Sequence, residues 1–295
     1  MIGSETCTEC PLCGGTPRKA FALHDGRIEM RCRACGVFFY WPLPSQSEQK
    51  AFYDAQWAGE SSEYHAHYDD AVLEGENLKN NFIPRLELLA RRGFSGNLLD
   101  VGCSVGTFLR AATERGWNVQ GIDLGEAACA RTAAAIGCPV HCGVLEEAAL
   151  PNASFDAIHA SQVIEHVMEP KRFLAAAHRL LRPGGALLLA APIIAPSVYR
   201  TTHYVQKTLV PAVSRGREYP YPWAIHHPFH VYAHSPASLR RLVETSGFRV
   251  THVRIVRWQS FSRLNTKWRV FYHLMNGLFR VLRTGMNMDI LAVKT

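Results

Sequence analysis

Residues 98–109 read Leu-Leu-Asp-Val-Gly-Cys-Ser-Val-Gly-Thr-Phe-Leu: an apolar strand, a glycine-rich turn and the start of a helix. No other stretch narrows the fold as much, because the turn brings backbone amides and a helix N-terminus close to a bound group. The spacing is Asp-x-Gly-x-x-x-Gly, not the Gly-x-Gly-x-x-Gly of a dinucleotide-binding turn. Asp100 at the strand's end would repel a pyrophosphate. It suits an amino group or a cation.

The pattern keeps alternating downstream. A helix from Thr107 to about Arg115 leads to a strand over Trp117–Leu124, then a helix over Gly125–Ile136 and a strand over Pro139–Cys142. Phe155 to Ala160 reads as a fourth strand running into Ser161-Gln162-Val163-Ile164-Glu165-His166-Val167. Leu180-Leu181-Arg182-Pro183-Gly184-Gly185 ends a helix with a sharp turn before the apolar strand Ala186–Ala191. Apolar strands alternating with helices predict a parallel sheet covered on both faces. Asp123 lies about 20 residues beyond Gly102, where an acid in a doubly wound sheet can bond a ribose diol. It is equally placed to cap the helix that follows.

Four signals in order carry a family resemblance: Asp100-x-Gly102-x-x-x-Gly106, the Phe155-Asp156-x-Ile158 strand, Ile164-Glu165-His166, and Leu181-Arg182-Pro183-Gly184-Gly185. Together they resemble the class I S-adenosylmethionine-dependent methyltransferases. The resemblance covers about residues 98–250 and implies an α/β fold with a Rossmann-like, doubly wound, seven-stranded sheet. It implies that Asp100, Gly102, Cys103 and Gly106 cradle the methionine part of S-adenosylmethionine. It implies Asp123 on the ribose and Val144 or Leu145 beside the adenine, with Leu124, Ser161 and Gln162 also among the cofactor-binding residues. Ser104 replaces the motif's usual second glycine, a small residue that should preserve the turn.

The N-terminus holds two Cys-x-x-Cys-Gly knuckles, Cys10/Cys13 and Cys32/Cys35, separated by 18 residues. This spacing predicts a zinc ribbon with a tetrahedral four-thiolate site, closed to substrate and so structural. A redox or disulfide pair is the alternative. Cys7 lacks the Cys-Pro-x-Cys-Gly context and is left outside the ligand set. Nine cysteines, the ribbon, and the lack of a signal peptide or a bilayer-length apolar run predict a reducing cytoplasm.

The expected organisation is a zinc ribbon over 1–45, a helical linker and cover over 46–92, and a methyltransferase domain over 93–295. Within that domain, 192–235 reads as an inserted helical lid and 257–287 as an amphipathic insertion between two antiparallel edge strands, Phe248–Val256 and Met288–Lys294. Tyr53, Trp57, Tyr64 and Tyr68 form an aromatic cover near the cleft or pack the ribbon against the domain. Residues 199–285 carry 14 Lys or Arg against two acids, which suits an anionic partner such as a phosphorylated acceptor, an acidic membrane surface or RNA. Apolar residues at helical spacing over Lys267–Arg283 suit a peripheral membrane surface, their own domain, or a second subunit.

Methyl transfer to a hydroxyl needs a base, and His166, His230 and His227 are the candidates. Some relatives bind a divalent metal through Glu-x-x-Glu-His, but Gln162 here replaces the first carboxylate. The reading is O-methylation of a small-molecule or glycan-type acceptor, with nucleic acid the less favoured partner. Two alternatives stand beside it. An RNA base methyltransferase usually pairs its Cys-x-x-Cys with a Cys/His knuckle, and both knuckles here are pure cysteine. A non-catalytic scaffold on this fold fits poorly with intact Asp100, Gly102, Gly106 and Asp123.

Overall fold

In the computed structural model, residues 7–22, 27–57, 71–194, 229–256 and 287–295 are described, together with 273, 277, 281 and 285. Strands β1 (Pro17–Ala22), β2 (Ile28–Cys32) and β3 (Phe38–Trp41) form an antiparallel N-terminal sheet. One cysteine knuckle precedes it, closed by Cys10 N–H to the Gly15 carbonyl at 2.8 Å. The other joins β2 to β3 through Cys32 N–H to the Val37 carbonyl at 2.9 Å.

The cover follows as α1 (Gln46–Trp57), α2 (Ala71–Asn77), a π-helical turn over Leu78–Phe82, and α3 (Ile83–Arg91). Ser45-x-x-Glu48 starts α1 as a capping box. Glu48 N–H donates to Ser45 Oγ at 3.2 Å, and Ser45 N–H donates to Glu48 Oε2 at 2.7 Å.

The remaining elements are β4 (Asn97–Val101), α4 (Thr107–Thr113), β5 (Asn118–Asp123), α5 (Glu126–Ile136), β6 (Val140–Cys142), β7 (Phe155–Ser161) and α6 (Pro170–Leu180). They are followed by β8 (Leu181–Pro192), β9 (Tyr232–Ala233), α7 (Pro236–Glu244), β10 (Phe248–Val256) and β11 (Asn287–Lys294). The large sheet has seven strands in the order β10-β11-β8-β7-β4-β5-β6. Strands β8 to β6 run parallel, while β11 is antiparallel to β8 and β10 to β11.

Side-chain alternation explains why both faces are dry. Leu99, Val101, Ile158, Ala160, Leu187 and Leu189 join one buried cluster, while Leu98, Ala157, Ala186 and Leu188 join the other. The strand order reverses at β4, which has β5 on one side and β7 on the other, so a crevice opens beyond their carboxyl ends.

Local structure departs from the sequence reading in three places. The helix after the glycine turn stops at Thr113, and Arg115 and Gly116 close a turn by donating to the Ala112 and Thr113 carbonyls. Strand β8 begins at Leu181, before the Arg-Pro-Gly-Gly segment, whose turn survives as a break in register from Phe155–Leu181 to Ala157–Ala186. Tyr232 and Ala233, expected within a lid, form the fourth strand of the N-terminal sheet by pairing with Phe39 and Phe38. His227, Tyr64, Tyr68, the Trp57 side chain and nearly all of the Lys267–Arg283 stripe lie outside the described residues.

Candidate active site and cysteine centre

A cavity of about 840 Å³ fills the crevice at the switch point. Its floor is the turn after β4, and its far wall is the segment after β7. Its roof is the cover, through Gln46, Gln49, Tyr53, Glu74, Asn77 and Phe82. Asp100, Gly102, Cys103, Asp123, Leu124, Val144, Leu145, Ser161, Gln162, His166 and His230 all line it. Gly106 stands behind, as the residue from which α4 starts.

The turn is shaped by backbone conformation. Gly102 and Gly106 have φ of 73° and 80°, and Ser104 has φ of 49°. Ser104 therefore adopts the left-handed conformation that glycine favours, at the cost a side chain brings there. A Cβ on Gly102 would lie 2.6 Å from Val163 Cγ2, so the close approach needs glycine.

The amides do not do what the sequence suggested. Gly102 and Cys103 N–H both donate to the Ile122 carbonyl, at 2.8 and 3.1 Å, and Ser104 N–H donates to Asp123 Oδ2 at 2.9 Å. These bonds tie the turn to the end of β5, so the cradle is offered by shape rather than by those amides. Asp123 Oδ1 also accepts Gly125 N–H at 3.0 Å, so the carboxylate both orders the start of α5 and faces the cavity. Burial raises its pKa, opposed by those two backbone bonds.

Asp100 is buried and accepts His159 Nδ1–H at 2.7 Å. The β4–β7 register places the two directly opposite. Burial lowers the His159 pKa and keeps the ring neutral, stacked on Phe108 at 3.7 Å. Ser161 Oγ accepts from Arg85 Nη1 at 3.0 Å, and Arg85 Nη2 donates to Asp289 Oδ1 at 2.9 Å. Gln162 donates to Asn287 Oδ1 at 3.2 Å, so this side chain is engaged by β11 and does not join Glu165.

Glu165, His166 and His230 come together, with one polar atom from each within 4.8 Å of the others. His166 Nδ1 donates to the Phe229 carbonyl at 3.0 Å, which leaves the neutral ring's lone pair on Nε2. That nitrogen is 4.0 Å from Glu165 Oε1, and the His166 and His230 rings meet edge to face at 4.4 Å. Gln49 Nε2 donates to the His166 carbonyl at 2.9 Å, and Tyr53 Oη lies 3.1 Å from His166 Nδ1. Neither carboxylate oxygen of Glu165 has a hydrogen-bond partner, and burial pushes its pKa up to about 8.

That shift gives a testable pH dependence. Below about 4.5, its ordinary value, folded and unfolded chains both hold the proton. Between there and about 8 only the folded chain does, so stability falls as pH rises through this window. At about 1.4 kcal/mol per pKa unit the penalty reaches a few kcal/mol at pH 8. Glu165→Gln is expected to remove the slope and leave the variant more stable than the parent at pH 8, in urea melts at pH 5 and 8. An unchanged slope would show that Glu165 is not the group responsible.

The four N-terminal cysteine sulfurs also cluster within 4.8 Å of one another. Cys10 and Cys35 Sγ are 3.7 Å apart and Cys13 and Cys32 Sγ 3.4 Å apart, close to the ~3.8 Å that tetrahedral Zn–S bonds impose. The hydrogen bond with Cys10, then burial, raises the Cys35 thiol pKa, and burial raises that of Cys13. A divalent cation reverses that preference and holds the thiolates. The set fits a structural zinc with no open position. Cys7 donates to the Glu9 carbonyl at 3.3 Å and is not part of the cluster.

Sequence patterns assign no role to Arg85, Asp289 or His159, and they place Glu165 only within the Ile164-Glu165-His166 segment. His159 had a detectable signal, a histidine inside an apolar strand that pairs with the motif strand. Arg85 and Asp289 are 204 residues apart, and no local pattern joins them.

The cavity suits S-adenosylmethionine on three counts. Its floor has no Cβ at Gly102, Ser104 Oγ is buried without a partner, and an acid ends the second strand. Among solved structures, the chain is similar to magnesium protoporphyrin IX methyltransferase from Synechocystis PCC 6803 with bound SAH, with TM-score 0.57 and 13% identity over 85% of this chain and all of that one. At that identity the likeness shows the fold. A probable S-adenosylmethionine-dependent methyltransferase of Mycolicibacterium smegmatis is 32% identical over 55% of each chain. A ubiquinone biosynthesis O-methyltransferase of Pseudomonas aeruginosa is 33% identical over 37% of this chain and 50% of its own. The chain thus spans about half the length of these curated relatives. A methyltransferase-domain profile matches residues 76–253, more than half of the chain, and with the cradle described above this places the protein in the S-adenosylmethionine-dependent methyltransferase family.

Proposed function

We propose that the protein transfers a methyl group from S-adenosylmethionine to a hydroxyl of a small-molecule or glycan-type acceptor. The observation that carries this reading is the Glu165–His166–His230 cluster, whose two histidines face the same cavity as Asp123 and the Gly102 turn. The bound cofactor supplies an activated methyl and its own leaving group, so the protein must align the acceptor and take its proton. His166 holds a lone pair on Nε2 for that proton, with its other nitrogen anchored on Phe229. A hydroxyl loses a proton on methylation, which gives such a base its use. Similarity to the Pseudomonas O-methyltransferase supports the same chemistry. The setting on this reading is the reducing cytoplasm, where four thiolates stay available to zinc.

The test combines calorimetry with S-adenosylhomocysteine and a screen of hydroxyl acceptors, nucleotide sugars first, using methyl-labelled cofactor. Label is expected on an acceptor oxygen, with His166→Ala slowing turnover by about 10²–10⁴-fold while product binding changes little. Label entering RNA instead, with steep salt dependence, would replace this reading with RNA methylation. Absence of binding to folded protein would leave a scaffold.

A further inference from the structure

We propose that the zinc ribbon is a positioning element for the acceptor side of the active site: through β9 it sets Glu165, His166 and His230, while the hydrogen bonds that shape the Gly102–Ser104 turn come from the end of β5. The inference rests on the reading of that cluster as the acceptor-side chemistry.

One backbone path joins the ribbon to the cluster. The second knuckle runs straight into β3, with Gly36 N–H on the Cys32 carbonyl at 3.0 Å and Cys32 N–H on the Val37 carbonyl at 2.9 Å. Strand β3 pairs with β9 through Phe38–Ala233 and Phe39–Tyr232, and Tyr40 N–H donates to the Val231 carbonyl at 3.1 Å. Residues 229–232 carry bonds the other way as well. Val231 and Tyr232 N–H both donate to the Glu165 carbonyl, at 2.9 and 3.1 Å. The Tyr232 hydroxyl donates to the Met168 carbonyl at 3.1 Å, and the Phe229 carbonyl receives His166 Nδ1–H at 3.0 Å. His230, in contact with His166, lies inside this four-residue stretch.

A second joint reinforces the first. Arg241 on α7 donates to the carbonyl of Ala34, between the two cysteines of the second knuckle, at 2.8 Å. Ser235 caps α7 by accepting Ser238 N–H and abuts Gly36.

A two-residue strand has little stability of its own, so β9 depends on the strand beside it. A ribbon of this size in turn depends on its metal, because zinc binding supplies much of the free energy that folds such modules. Loss of zinc therefore releases β3, then β9, then the carbonyl and imidazole bonds that orient the cluster. The cradle's bonds come from a different place, the Ile122 carbonyl and Asp123 carboxylate at the end of β5.

The test uses the full chain, zinc-loaded and after chelation under reductant, followed by hydrogen exchange, histidine NMR and calorimetry with S-adenosylhomocysteine. On zinc loss, amides of 229–235 and 163–168 are expected to exchange at least about ten-fold faster, with 98–123 unchanged. The His166 and His230 titration midpoints are expected to move by about half a pH unit or more. S-adenosylhomocysteine affinity should stay within about three-fold. Unchanged exchange at 229–235 would overturn the proposal, and so would equal acceleration across 98–123, which would mean a general folding role. If the chelated chain precipitates, Arg241→Ala keeps the zinc and opens one joint. It is expected to accelerate 229–235 by at least about two-fold, and no change there overturns the proposal. Failure of the zinc-loaded protein to bind S-adenosylhomocysteine would count against the methyltransferase reading, separately from any exchange result.

Discussion

Asp289→Ala is expected to destabilise the protein by about 3–5 kcal/mol, the cost of leaving a buried charge without its partner. Asp289 is 1% exposed and Arg85 4% exposed. One oxygen of Asp289 accepts Arg85 Nη2 at 2.9 Å, and the other accepts Arg254 Nε at 2.9 Å. With the carboxylate gone, Arg85 keeps Ser161 Oγ but holds a full positive charge in the interior, and its Nε has no partner even in the parent. Arg254 is one-third exposed and can turn to water, so most of the penalty falls on Arg85. The double variant Arg85→Met/Asp289→Leu removes both buried charges and is expected to cost much less than Asp289→Ala alone. Thermal melts should show Asp289→Ala lowered by about 10 °C. A loss of under ~1 kcal/mol would mean that water reaches the guanidinium. Because Arg85 also holds Ser161 at the cavity wall, this pair links the cover, strand β11 and the site.

Cofactor affinity is the second large effect. Asp123→Ala is expected to weaken S-adenosylhomocysteine binding by about 100-fold or more, read by calorimetry at neutral pH. Hydrogen bonds to a charged acceptor contribute about 1.5–3 kcal/mol each, and a ribose diol offers two donors. The substitution also strands Ser104 and Gly125 N–H, which now donate to this carboxylate, so the turn loosens as the contact is lost. Asp123→Asn separates the two effects, since it keeps an acceptor for one of the amides but loses the charge. Affinity for the parent should fall on acidification, because burial raises the Asp123 pKa and the protonated acid is a poorer acceptor. A change below about three-fold in Asp123→Ala would place the ribose elsewhere.

The cofactor half was legible because its determinants are local. A strand, a glycine turn and a helix within residues 98–109 leave few alternatives, and the acid at 123 follows at a fixed distance along the chain. The cysteine knuckles were legible for the same reason: metal geometry fixes spacing as well as residue type. The residue type implies that Ser104 keeps the turn with slightly altered geometry, and the chain holds a non-glycine residue there at φ of 49°. The uses of the turn's amides were not legible. Whether a donor faces a ligand or the neighbouring strand depends on how closely β5 lies against β4, which no local pattern records.

Sequence alone determined the parallel core, the cysteine cluster, the candidate cofactor residues and the family, because periodicity, turn chemistry and ligand spacing act over a few residues. Tertiary structure decided which of the histidines meet: His166 and His230 are joined with Glu165 through residues 229–232, whose strand β9 pairs with β3 of the N-terminal sheet. It also decided that Arg85 pairs with Asp289 across 204 residues. Such pairings have no spacing rule. They are set by which surfaces remain to be buried once the sheet has formed, and a buried charge or carbonyl then takes whatever partner that packing brings within reach.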